Sequence, residues 1–118
     1  MSIQSFQLLI NLLIFANDMT YIDKYSADIK RLCNLYNVKT LYAFGSVASD
    51  QLKDKSDVDF IVEFNPIDLN IYADNYFDLK FSLQDVLKRT IDLIEEKAIK
   101  NPYFKQVVDK QRKLVYGR

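Results

Sequence analysis

Residues 57–64, Asp57-Val58-Asp59-Phe60-Ile61-Val62-Glu63-Phe64, restrict the fold of this chain more than any other stretch. In an extended strand successive side chains point to opposite faces. Val58, Phe60, Val62 and Phe64 then form one wholly apolar face. Asp57 and Asp59 fall together on the other, roughly 6.5–7 Å apart along the chain. Such a strand needs a hydrophobic layer on one side and a solution for two neighbouring carboxylates on the other. Two acids at that spacing can converge on a shared pair of divalent cations. Taken alone, they read first as solvated acids of a turn.

The flanking sequence supplies the layer. Thr20-Tyr21-Ile22-Asp23 is a capping-box-like helix start, and Ile22, Tyr25, Ile29, Leu32 and Tyr36 follow at the 3- and 4-residue spacings of an amphipathic helix. Asn37 suits a left-handed C-cap. Thr40 to Phe44 is a short buried strand ending at Gly45, residues 47–56 are a polar loop or short helix, and Asn65-Pro66 closes the strand of residues 57–64. Tyr72, Tyr76, Leu79, Leu83 and Val86 mark a second major helix over residues 71–88, and Thr90 to Ile94 a third strand. Asn101-Pro102 opens a helix running to about Lys110, with proline at its first position, and Lys113 to Tyr116 is an edge strand. The order predicts an α/β (α+β) domain, a small mixed β-sheet backed by helices. Residues 1–18 read as an N-terminal extension not native to the domain, with an extra packing helix as the alternative, and 19–118 as the domain itself.

The residue inventory excludes several chemistries. The 118 residues include no histidine and one cysteine, so Ser-His and Cys-His catalysis are ruled out and a zinc site is disfavoured. Cys33 lies on the apolar stripe of the first helix and reads as core; a single cysteine suits a reducing cytosol. Sixteen basic and sixteen acidic residues leave a formal net charge of zero, which gives no global field to draw in a long nucleic acid. Leu8 to Ala16 is apolar but interrupted by Asn11, and much shorter than the roughly 20 residues of a membrane span. A cytoplasmic, membrane-free protein is expected. Any metal would be bound through carboxylate oxygen, which points to Mg²⁺ or Mn²⁺.

Asp92 adds weight to the acidic pair. A carboxylate within an apolar strand costs several kcal/mol unless it is paired, hydrogen-bonded or bound to a cation. Asp57, Asp59 and Asp92 on short strands of one sheet can share that solution around divalent metal. Gly45-Ser46 lies at the end of the preceding strand, where glycine allows close backbone approach and N–H groups with a hydroxyl can hold phosphate oxygens. It is not a P-loop, because no Gly-Lys-Ser/Thr follows.

Gly45-Ser46, ten residues, Asp57-x-Asp59 and a later strand carboxylate, Asp92, together resemble the nucleotidyltransferase superfamily that includes DNA polymerase β. The chain is most similar to its smallest members, the minimal nucleotidyltransferase (MNT) domain proteins of the MntA antitoxin type. The likeness extends from about Thr20 to Gly117 and includes Asn101-Pro102-Tyr103 and Leu114-Val115-Tyr116-Gly117. The resemblance implies a polymerase β-like fold and transfer of AMP from ATP, with two Mg²⁺ (or Mn²⁺) ions held by Asp57, Asp59 and Asp92. It implies that Gly45 and Ser46 grip the terminal phosphates and that Asp92 takes the proton of the attacking hydroxyl. It also implies a protein acceptor, the helical HEPN-domain ribonuclease toxin of a toxin–antitoxin pair, in a homo- or hetero-oligomer.

One feature departs from the family pattern. Many relatives carry arginines just after the Gly-Ser, whereas this chain has Val47-Ala48-Ser49-Asp50. Lys53 and Lys55 are the compensating triphosphate contacts expected from the same loop, with solvated lysines the alternative. A binding module of the same fold, neutralising its partner by occlusion alone, is the second functional expectation, and a standalone small-molecule nucleotidyltransferase the third. For partner docking the sequence offers Tyr72, Tyr76, Phe77, Tyr103 and Phe104.

Overall fold

The computed structural model describes residues 20–45 and 57–117. The expectations for residues 1–18, for Ser46 and for residues 47–56, Lys53 and Lys55 among them, lie outside the described residues. The elements are α1 (Thr20–Asp23), α2 (Ser26–Leu35), β1 (Val38–Phe44), β2 (Val58–Phe64), α3 (Leu69–Leu87), β3 (Ile91–Glu95), a 3₁₀ turn (Glu96–Ala98), α4 (Pro102–Gln111) and β4 (Lys113–Tyr116). No described helix is long and apolar enough to cross a membrane.

The first helix is broken where the sequence pattern predicts continuity. Tyr25 precedes α2 with φ −111° and ψ 15° and makes no side-chain cap bond, and its N–H closes a turn on the Ile22 carbonyl at 2.9 Å. The cause is tertiary. Tyr21 in α1 donates its hydroxyl to the Leu87 carbonyl at the far end of α3. Its ring lies under the Arg89 guanidinium at 4.8 Å and meets Tyr25 edge-on at 5.5 Å. These contacts hold α1 against the end of α3 and the residues just after it.

Other boundaries follow local chemistry. Asn37 is left-handed, with φ 61°, and ends α2 as expected. Asp68 caps α3 by accepting from the Asn70 N–H at 2.9 Å, so the helix starts at Leu69, two residues before the predicted start at 71. Asn101 caps α4 by accepting from the N–H groups of Tyr103 and Phe104, with Pro102 in the first turn. Asn75 is a buried polar residue of α3 that the stripe does not foretell. It donates to the Tyr36 carbonyl at 2.8 Å and accepts from Asn37 at 3.2 Å, joining α3 to the end of α2.

The sheet order is β3-β2-β1-β4. β1 runs antiparallel to both β2 and β4, while β2 and β3 are parallel and joined through α3. Pairing places Leu41 opposite Val62, Ala43 opposite Phe60, and Phe60 beside Leu93. These residues face α2 and α3 and form the main core with Ile29, Leu32, Leu79 and Leu83. Cys33 is fully buried there, and burial pushes its thiol up to about 12.

The other face is not purely polar, contrary to the simple alternation. Ile61, next to Asp59, is fully buried, as is Val108 of α4, and neither belongs to the main core. α4 lies over part of this face: Phe104 meets the Phe44 ring edge-on at 6.0 Å. Arg112, at the end of α4, sits over the Tyr42 ring at 4.8 Å. Arg112 also forms a two-pronged pair with Glu96 at 2.7 and 3.1 Å and bonds Asp109. These contacts tie α4 to β1 and to the segment that follows β3.

Candidate active site

β1 ends and β2 and β3 begin at one end of the sheet, and the acids gather there. Phe44 at the end of β1 pairs with Asp59, and Asp59 in turn pairs with Asp92 on the parallel neighbour β3. Residues paired in this way present their side chains on the same face, with directly opposed Cβ atoms about 4.5–5.5 Å apart in antiparallel pairs. Asp57 stands immediately before β2 and is exposed.

Asp59 is the inner member of the set. Partial burial, then the charge of Asp92, then that of Asp57 hold its carboxyl above the ordinary value of 3.8. All three causes act in the same direction, because each disfavours a further negative charge. Among the described residues no ion pair joins any of the three to a basic side chain. Positive charge placed at this end of the sheet would relieve the repulsion.

Gly45 completes this end of the sheet. It has φ +74°, and a Cβ built on it would come within 2.8 Å of Asp59 Oδ2. Its lack of a side chain lets the β1 end close over the Asp59 carboxylate.

Asp92 departs from its expected setting. It is exposed, not buried in mid-strand, because it lies at the second residue of β3, an edge strand, on the face that α3 does not cover. The argument from desolvation therefore does not hold for Asp92; its place beside Asp59 is what draws it into the set. Tyr76, which the sequence offers for partner docking, instead donates its hydroxyl to the Leu93 carbonyl next to Asp92. Burial, with Glu95 and Asp92, pushes the Tyr76 phenol upward. Tyr72 donates to Glu95. Of the tyrosines offered for docking, Tyr72 and Tyr76 are thus turned inward, whereas Tyr103 and Phe77 are exposed, and Phe77 stacks on Phe81 at 6.0 Å.

Three hard oxygen donors with no histidine or thiolate nearby match Mg²⁺ or Mn²⁺ chemistry. Among the described residues no three acidic, thiol or imidazole side chains are placed to hold a metal ion by themselves. An open set is what a Mg²⁺ site needs when substrate phosphates supply the remaining oxygens. A separate cavity of about 420 Å³, lined by Phe64, Pro66, Leu69, Tyr72, Glu95 and Lys97, opens at the opposite end of β2 and β3, away from the acids.

A profile described as "Polymerase beta, Nucleotidyltransferase" matches residues 27–118. A Methanocaldococcus jannaschii protein, MJ0128, named as a candidate protein adenylyltransferase, is 38% identical over 87 residues, covering 74% of this chain and 84% of the relative. A solved structure described as a candidate minimal nucleotidyltransferase superposes with a TM-score of 0.66 at 21% identity, over 80% of this chain and 93% of the other. A chain from the complex of a tri-AMPylated Shewanella oneidensis HEPN toxin with its MNT antitoxin gives a TM-score of 0.56 at 20% identity, over 82% and 73%. At these identities the two structures show a shared fold.

Proposed function

The chain belongs to the polymerase β-type nucleotidyltransferase family, and on that premise we propose that it transfers AMP from ATP to a hydroxyl of a protein partner. The observation that carries this reading is the set around Asp59: three carboxylates at one sheet end, with the central one raised by burial and by the other two. Asp57 and Asp59 are the residues to hold divalent metal, with Asp92 reaching the same site. When bound there, Mg²⁺ would supply positive charge to offset the phosphates and the attacking and leaving oxygens of an in-line displacement.

The remaining roles belong to the chain's own groups. Gly45 keeps the Asp59 carboxylate seated against β1, and Ser46 grips the terminal phosphates. Asp92 accepts the proton of the acceptor hydroxyl as its oxygen bonds to the α-phosphorus. The bond from that phosphorus to the bridging oxygen breaks, and pyrophosphate carries off the electron pair. Because Asp92 is exposed, it can release the proton to water for the next turnover.

For the acceptor we propose a helical HEPN-type toxin. The support is the fold shared with the MNT antitoxin complex, whose toxin is described as tri-AMPylated, and the similarity to a protein named for adenylyl transfer to protein. Occlusion without chemistry is the second reading, favoured by Val47-Ala48-Ser49-Asp50 in place of basic residues. Co-expression with a helical HEPN-type protein from the same genome, followed by ATP, Mg²⁺ and intact-mass spectrometry, separates them. A gain of one or more adenylyl units on a partner tyrosine is expected. A stable complex with no mass gain supports occlusion, and no complex removes the antitoxin role.

A further inference from the structure

We propose that Phe104, in the first turn of α4 and packed edge-on against Phe44, forms with the exposed ring of its neighbour Tyr103 an aromatic ledge that takes the nucleobase of the bound nucleoside triphosphate. The proposal rests on the nucleotidyl-transfer reading and adds to it a base subsite. Phe44 is the register partner of Asp59 and shares its sheet face, so its ring adjoins the inner carboxylate. Phe104 meets that ring at 6.0 Å and an interplanar angle of 80°, which extends an apolar surface from the acids to the start of α4. Phe104 is 39% exposed and Tyr103 79%.

Phe104 packs on Phe44 yet leaves part of its ring open to water, and Tyr103 next to it is mostly exposed. Phe44 is itself only partly covered, so the fold has buried one side of the pair and left the other open. A nucleoside triphosphate held by its phosphates at the carboxylates must place its sugar and base next to that point. The chemistry of the ledge suits a flat heteroaromatic ring: stacking on Phe or Tyr is favourable for every base, because every base presents a π-face. The α4 start is also fixed rather than pliable. Asn101 caps it through the N–H groups of Tyr103 and Phe104, and Arg112 anchors the other end to Glu96 and Tyr42. A preset ledge binds with little loss of side-chain freedom.

The test compares ATP with inorganic tripolyphosphate, which has no base, by titration calorimetry on the full chain with Mg²⁺. Phe104→Ala is expected to weaken ATP about tenfold, in line with the loss of one base–aromatic stack, and to leave tripolyphosphate unchanged. Tyr103→Ala should weaken ATP in the same sense, and its exposure keeps the fold out of the result. The fluorescence of 2-aminopurine riboside triphosphate should be quenched on the wild-type protein and not on Phe104→Ala. If Phe104→Ala does not fold, Tyr103→Ala and Phe104→Leu decide. Variants that bind ATP as tightly as wild type overturn the ledge, as does a parallel loss of ATP and tripolyphosphate. Wild-type protein that binds tripolyphosphate yet gains nothing from the nucleoside overturns the ledge alone. Binding of neither ligand overturns the transfer reading with it.

Discussion

Gly45 and Asp59 face each other across β1 and β2 so closely that a Cβ on Gly45 would stand 2.8 Å from Asp59 Oδ2. Gly45→Ala therefore meets two penalties. The left-handed backbone at φ +74° disfavours any side chain by about 1–2 kcal/mol, and the carboxylate must move. The melting temperature should fall by about 4–8 °C or more, and Mg²⁺-dependent ATP affinity should fall as well. A variant with wild-type melting and affinity would show that this close approach is dispensable.

The raised carboxyl of Asp59 gives a pH signature. A folded-state pKa above the unfolded value means that the folded chain binds the proton more tightly. The stability from this group is then present at low pH and lost as pH rises above 3.8 through the raised value. In chelator, thermal melts from about pH 4 to 7 should show wild type losing stability relative to Asp59→Asn. At neutral pH added Mg²⁺ should raise the melting temperature of wild type and not of the variant. Parallel pH curves for the two proteins would remove the proposed repulsion.

Asp57→Asn and Asp92→Asn should differ in kind. Asp57→Asn is expected to abolish transfer by weakening metal-bound nucleotide. Asp92→Asn should slow the chemical step more than it weakens ATP, because its task is the acceptor proton. Calorimetry with single-turnover kinetics reads the contrast. Equal loss of ATP affinity in both variants would refute this division of labour.

Arg112 has a structural task. Its side chain is 13% exposed, pairs with Glu96 by two hydrogen bonds, bonds Asp109 and covers Tyr42. Glu96, through a side-chain hydrogen bond, raises the guanidinium pKa further. Arg112→Ala should destabilise the fold by about 1–3 kcal/mol through loss of its charge-assisted hydrogen bonds, although Lys105 still pairs with both Glu96 and Asp109. Arg112→Lys should recover little, because an ammonium offers neither the fork nor the flat face. Denaturant unfolding measures both; full recovery by lysine would show that charge alone matters.

The sequence was most legible where structure is local. The 3- and 4-residue spacing of Ile29, Leu32 and Tyr36, the capping of α4 by Asn101 and the two-residue period of Val58 to Phe64 each follow from the geometry of one element. The element order and the mixed sheet emerged from them, and the two-residue spacing of Asp57 and Asp59 put both on one face of β2. The division of the first helix was not legible, because Tyr21 answers to Leu87 and Arg89, sixty-six and more residues away. Asp92 was placed correctly in its strand and wrongly in its surroundings.

What the sequence determined by itself was the alternation that puts Asp57 and Asp59 on one face and Val58 and Phe60 on the other. That is a property of the extended backbone and needs no partner. Only the tertiary structure decided that Asp59 pairs with Asp92 on one side and Phe44 on the other. It also decided that Asp92 is open to water and that α4 brings Phe104 to the same corner. Strand register and the docking of a helix on a sheet are fixed by the whole core packing at once, by contacts between residues far apart in the chain. No local pattern carries that sum.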